Sequence, residues 1–319
     1  MTAALDRITQ PASDADYRVV TGHRKLGVGV GAVGLLIAMV VAGLGIAAAV
    51  QVGDAGSEST VGQLLAVAFG LNTLALATVK VGISIILIGI LVRLWFRVEG
   101  IKDSLPALKA PTTDQGPTTG TTETPYGTCD VGAAEPTELP IHRMARTLWA
   151  PMLVMGYMLV ATGFVVALVW AGNIESDAAT ALDLSAWAQG TQFLGEAMVL
   201  AGVSFLLGSI LGGLRAGGGR VQEALGLPVQ TLQMPKTAKA FIGLMVLGMM
   251  LAIVQFVLYI VTTTFDNTVD VATWFAFLGP LRELSLGLIL AGIVLSLVTI
   301  ANVLGFQFWR IRGIITTGS

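Results

Sequence analysis

Six long apolar segments alternate with short polar stretches along the chain, at residues 26–50, 62–94, 147–171, 186–214, 240–264 and 274–308. Each of them provides the roughly 20 apolar residues that a helix needs to cross a bilayer. The apolar positions do not alternate as they would in a strand, and an open strand would leave backbone polar groups unpaired in lipid. The pattern therefore predicts an all-α integral membrane protein with six transmembrane helices.

Composition agrees with this pattern. The 319 residues are 54% hydrophobic and only 12% charged, with a mean hydropathy of +0.79. A soluble domain has about 25% charged residues, so a soluble globule is excluded. The net charge of −2 gives no basic footprint for nucleic acid. We therefore expect the lipid bilayer as a partner and no nucleic acid.

The basic residues predict how the helices are oriented. Of the 18 Lys and Arg residues, all but Lys80 and Arg282 lie in 1–25, in 93–146, in 215–239 or at the C-terminus. The loops at 51–61, 172–185 and 265–273 contain none. By the positive-inside rule, both termini and both long loops are predicted to be cytoplasmic in a cell membrane.

This topology divides the chain into segments. Residues 103–140 are rich in Thr, Pro and Gly, which is typical of a disordered linker, and they contain the single cysteine, Cys129, predicted to be exposed. Gly217–Arg220 is predicted to be a flexible turn. The predicted segments are a polar N-terminus (1–25), a first helical hairpin (26–102), the linker (103–140), a second hairpin (141–220) and a third hairpin with a short C-terminus (221–319).

Polar landmarks suggest that the three hairpins are repeats in parallel orientation. At a nearly constant spacing, Asn72, Gln192 and Arg282 share one position in the even helices. Asp54 and Asp266 share another with Asn173, at the outer ends of the odd helices. Basic-inside and acid-outside bias would also produce part of this pattern, so that alternative stays open.

The first helix is rich in glycine and is predicted to be buried among its neighbours, since small residues allow close helix contact in lipid. Within it, Gly29–Gly34 matches the G-x-G-x-x-G pattern of dinucleotide-binding loops. That pattern binds a cofactor only between a strand and a helix N-terminus. Here it lies inside an apolar helix, so no cofactor is predicted.

Charged residues inside the apolar segments are the sharpest feature, because each costs about 2.5–3.5 kcal/mol on insertion scales unless it is paired or faces water. They are Lys80, Glu196, Arg282 and Glu283. Gln189 and Gln192 share a helix face with Glu196. A milder polar stripe on the fifth helix contains Gln255, Tyr259 and Thr262.

These residues allow two interpretations. In the structural one, the two positive and two negative charges pair, Lys80 with Glu196 foremost, and fix the helix order. In the functional one, Lys80 and Glu196 line a water-filled path and exchange partners with a proton or an ion. An acidic outer rim would raise the local cation concentration or would serve only for solvation. The rim consists of Asp54, Glu58, Asp177, Asp266 and Asp270, with Glu175 and Asp183 in the same loops.

The sequence shows no catalytic constellation. Its two histidines, His23 and His142, lie at cytoplasmic helix starts, and a lone cysteine cannot hold a structural zinc. No catalytic residue, metal or cofactor is predicted. The first hypothesis is a non-enzymatic structural or accessory subunit that packs against itself or other membrane subunits. The alternative is a carrier or channel for a small cation or a proton-coupled solute, using Lys80 and Glu196.

Overall fold

The computed structural model describes residues 14–51, 58–104, 120–132, 140–265 and 267–317. Six helices and three short strands make up this part of the chain. The helices are α1 (Asp14–Gln51), α2 (Glu58–Ser104), α3 (Pro140–Asn173), α4 (Ala178–Ala224), α5 (Lys236–Thr262) and α6 (Thr268–Thr317). The strands are β1 (Gly120–Thr124), β2 (Gly127–Gly132) and β3 (Val229–Leu232).

All six predicted membrane segments are helices long and apolar enough to cross a bilayer, so the prediction of a multi-pass membrane protein is confirmed. The helices extend beyond the apolar segments, for example at the end of α4. Gly217–Arg220, predicted to be a turn, lies inside α4. Each glycine in a helix interior costs about 1 kcal/mol relative to alanine, but contacts on both sides of this segment stabilise the helix. The Leu214 carbonyl accepts a hydrogen bond from Gln307, and the Gln222 side chain accepts one from the Gln230 backbone N–H.

Consecutive helices pack as three hairpins, α1 with α2, α3 with α4 and α5 with α6. Glycines allow the closest approaches. A methyl group at Gly82 would lie 2.7 Å from the Gly27 carbonyl oxygen, and one at Gly195 would lie 2.7 Å from the Gly156 carbonyl oxygen. Backbones at this separation contact each other directly, which is how small residues stabilise helix pairs in lipid.

Helix α4 is the centre of the bundle, since it contacts α2, α3, α5 and α6. Two thirds of the residues in the most apolar stretch of α4 are buried, whereas only 11% of those in the corresponding stretch of α1 are buried. The prediction that the first helix is buried is therefore wrong. Its glycines at Gly27 and Gly34 touch α2, but nothing lies near Gly29, Gly43 or Gly45. The repeat and the orientation of the termini stay predictions.

Strands β1, β2 and β3 form an antiparallel sheet in that order, at the end of the bundle where α4 leads into α5. We call this end of the bundle the sheet end. The predicted linker is thus structured over Gly120–Gly132, because β2 pairs with β3 and Tyr126 packs on Gly305 of α6. The linker residues 105–119 and 133–139 lie outside the described residues.

The sheet also changes the prediction for Cys129. Its side chain is 1% exposed in a cluster with Val303 and Phe306, so it is buried rather than exposed. The pairing of Cys129 with Leu232 explains this, because it turns that face of β2 toward the helices. Burial raises the pKa of the Cys129 thiol.

Candidate functional site

One carboxylate connects the three hairpins in the middle of the bundle. Lys80 of α2 donates to Glu196 Oε1 of α4, and Arg282 Nη2 of α6 lies 3.1 Å from Glu196 Oε2. All three residues lie well inside their apolar spans. The Glu196 side chain is 5% exposed, and those of Lys80 and Arg282 are 18% and 17% exposed. We call these three residues the ion triad.

Aromatic rings complete the surroundings of Arg282. Its guanidinium carbon lies 5.7 Å from the centre of the Phe69 ring and 5.9 Å from that of Phe193. Cation–π contacts of this kind stabilise a guanidinium that has left bulk water. The Nε of Arg282 is buried, and no described residue forms a hydrogen bond with it.

Two glutamines, one on α4 and one on α5, are fully buried inside the apolar spans. Gln192 precedes Glu196 by one turn of α4, and its Nε2 donates to the Gly70 carbonyl at 3.3 Å, while its Oε1 has no partner. Gln255 of α5 is fully buried, and neither its amide oxygen nor its amide nitrogen has a hydrogen-bond partner within the described part of the chain. Buried polar groups without partners are rare, and each marks a place for water or a polar ligand.

A cleft of about 830 Å³ lies between α1, α2, α3 and α4, in the half of the bundle opposite the sheet end. Its walls are mostly apolar, and Asn72, Ser185 and Gln189 contribute the polar groups. Phe69 lines the cleft and also contacts Arg282. The cleft therefore reaches the residues next to the ion triad, with the Phe69 ring between them.

The charges of the site do not cancel, although the sequence count of two positive and two negative residues suggested that they would. Glu283, the second predicted acid, is exposed and makes no ion pair among the described residues. It is the sequence neighbour of Arg282 and therefore faces away from it. The ion triad has two cations and one anion, which is a formal charge of +1.

The loops at the end of the bundle opposite the sheet end carry acidic residues. Glu58, Asp177 and Asp270 are exposed there, while Asp54 and Asp266 lie outside the described residues. Asp177 caps α4, and hydrogen bonds from Thr180 lower the pKa of its carboxyl group. Among the described residues, no three acids come together in a group that could hold a metal ion.

The two histidines lie in different hairpins, each against a glycine of the neighbouring helix: His23 against Gly89 and His142 against Gly212. Within the described part of the chain, no group of three His, Cys, Asp or Glu residues could hold a metal ion.

Sequence reasoning named most residues of this site but missed Phe69. An aromatic residue in an apolar helix is ordinary, so only its place between the cleft and Arg282 singles it out. Comparison with known proteins adds no relative, since no family model, curated protein or solved structure matches this chain.

Proposed function

We propose that this multi-pass membrane protein is a carrier or channel for a small anionic solute, with the ion triad as its binding site. The observation that carries the proposal is the excess positive charge of the ion triad beside an open cleft. Charged residues at membrane depth normally mark ion or substrate pathways.

The charge balance favours an anion over the cation that the sequence suggested. An entering cation would be repelled by the two cations, Lys80 and Arg282, and Glu196 has both oxygens engaged. An anion at the ion triad would find Lys80 and the Arg282 Nε as donors.

The test is uptake of radiolabelled chloride, acetate and sodium into proteoliposomes. We expect uptake of at least one anion above that of empty liposomes and no sodium uptake. Lys80→Met should reduce anion uptake about tenfold, the effect of losing one hydrogen bond to a charged group. The matched control is Lys239→Met, an exposed lysine of α5 at the sheet end, which should leave uptake unchanged.

Two results would contradict the proposal. The absence of any anion flux in the unmodified protein would refute transport of these ions. Sodium uptake without anion uptake would restore the cation alternative and refute the charge argument.

A second candidate function is that of a structural subunit, and the exposure of α1 favours it. Its apolar residues are open on the side away from α2, with Leu36 61% and Val50 75% exposed. A helix attached to the bundle along one side only has a free face for a second copy or another membrane subunit. Purification from native membranes tests this second function. A stoichiometric partner or a stable oligomer that is lost in Gly43→Phe would support a structural role. A monomer that elutes alone would contradict it.

A further inference from the structure

A second basic site lies at the sheet end, far along α6 from the ion triad. Arg310 is only 3% exposed, and its hydrogen-bond partners among the described residues are neutral. It donates to the Gln230 carbonyl at 2.5 Å and to Gln307 Oε1 at 2.6 Å, with Gln222 Oε1 at 3.4 Å, and it stacks on Phe306. No carboxylate of the described residues pairs with it. Burial lowers its pKa to about 10, so it stays protonated at neutral pH.

Arg215 adds a second positive charge nearby, and its buried Nε has no hydrogen-bond partner among the described residues. The acid whose charge reaches Arg215 is Asp130, and that carboxylate already accepts a hydrogen bond from Gln233 at 2.8 Å. Among the described residues, the two arginines therefore face at most one acid, which gives this part of the structure an excess positive charge. Buried charge without a counter-ion is costly, and a bound anion removes that cost.

A small cavity lies beside these residues. It has a volume of about 50 Å³ and is bounded by Arg215, His142 and Gln307, whose amide is held by Arg310. This volume holds a group the size of a few water molecules or one oxyanion. The rest of the wall is apolar, contributed by Leu211, Leu232, Met234, Val303 and Phe306.

We propose that this cavity binds a phosphate group, carried by an anionic phospholipid or free in solution. Arginine provides planar paired donors that match phosphate oxygens, and it is less strongly hydrated than lysine. Arg215 would contact the phosphate, while Arg310 acts as a positioning residue that holds Gln307 and adds positive potential. The apolar wall gives the glycerol or acyl part of a lipid a surface that free phosphate would leave unused. The proposal is independent of transport at the ion triad.

The experiment uses the full chain, purified in detergent and incubated with phosphatidylglycerol, phosphatidylcholine or inorganic phosphate. Native mass spectrometry measures the lipid retained, and thermal unfolding measures stabilisation by each ligand. We expect one phosphatidylglycerol per chain, with at least tenfold weaker retention after Arg215→Gln, because one hydrogen bond between charged groups is lost. Arg143→Gln removes an exposed arginine that does not line the cavity, and it should retain the lipid fully.

The three ligands distinguish the sources of the phosphate. Stabilisation by phosphatidylglycerol but not by phosphatidylcholine supports the lipid source. Stabilisation by inorganic phosphate that is lost in Arg215→Gln supports the free anion. Equal retention of both lipids together with no effect of phosphate overturns the proposal, and so does phosphatidylglycerol retention that falls equally in Arg143→Gln and Arg215→Gln. Arg215→Lys keeps the charge and the fold without the planar donor pair and should bind with intermediate affinity.

Discussion

The ion triad should contribute strongly to stability, and Glu196→Gln tests how much. The substitution keeps the size of the side chain and one acceptor oxygen but removes the negative charge between Lys80 and Arg282. Two cations, with side chains 18% and 17% exposed, are then left without an anion. Removing one partner of a buried ion pair costs about 3–5 kcal/mol. Because both cations keep partial exposure, we expect a loss of about 3 kcal/mol.

Unfolding by SDS in mixed micelles, followed by circular dichroism, measures this loss. The matched control is Glu283→Gln, which removes an exposed acid next to Arg282 and should change the free energy of unfolding by less than about 0.5 kcal/mol. Adding Lys80→Met to Glu196→Gln should recover part of the loss, because one unpaired cation disappears. Non-additivity of this kind identifies residues that act together.

The reasoning is refuted if the free energy of unfolding of Glu196→Gln lies within about 1 kcal/mol of that of the unmodified protein, because an exposed ion pair contributes no more than that. It is also refuted if the loss in the double variant equals the sum of the two single losses.

Three further predictions concern packing, the thiol and topology. Gly195→Ala should destabilise the protein by about 1–3 kcal/mol, because the added methyl group meets the Gly156 carbonyl. The control is Gly243→Ala, at an open position, which should be neutral or stabilising. Equal effects of the two substitutions would contradict this prediction. Cys129 should resist maleimide at pH 8 and react after unfolding. Because burial raises the pKa of this thiol, the free energy of unfolding should fall as the pH rises above the pKa of cysteine in the unfolded chain. Rapid labelling of the folded chain, or a free energy of unfolding that does not change over that pH range, would contradict this. Reporter fusions should place both termini in the cytoplasm; an external signal from either would refute that orientation.

The six membrane helices could be predicted from the sequence because lipid imposes one requirement on every spanning segment, a long apolar run. The proximity of Lys80 and Glu196 could be expected for a similar reason, since an unpaired charge in the bilayer is costly. The position of Arg282 could not. Pairing by sign allowed either acid as its partner, and only the packing of α6 against α4 directs it to Glu196.

The sheet end was beyond sequence reasoning for a different physical reason. Residues 120–132 have the composition of a disordered segment, and no strong alternation marks β1 or β2. Their order depends on β3, which lies about a hundred residues further along the chain, and on the contact between Tyr126 and Gly305. Long-range pairing of this kind leaves little local signal.

Placement, more than number, decides what the intramembrane charges can do. Counted along the chain, two basic and two acidic residues balance, and a balanced set is sufficient as a structural network. In the bundle, the exposure of Glu283 removes one acid from the set, and the ion triad becomes a site with excess positive charge. Glu196 then has two roles that a flux assay and an unfolding assay separate: it connects three hairpins, and it limits the positive charge that an entering anion meets. Lys80→Met removes the contact between α2 and Glu196 together with the excess positive charge, but it leaves Glu196 paired with Arg282. This variant should therefore affect flux more than stability.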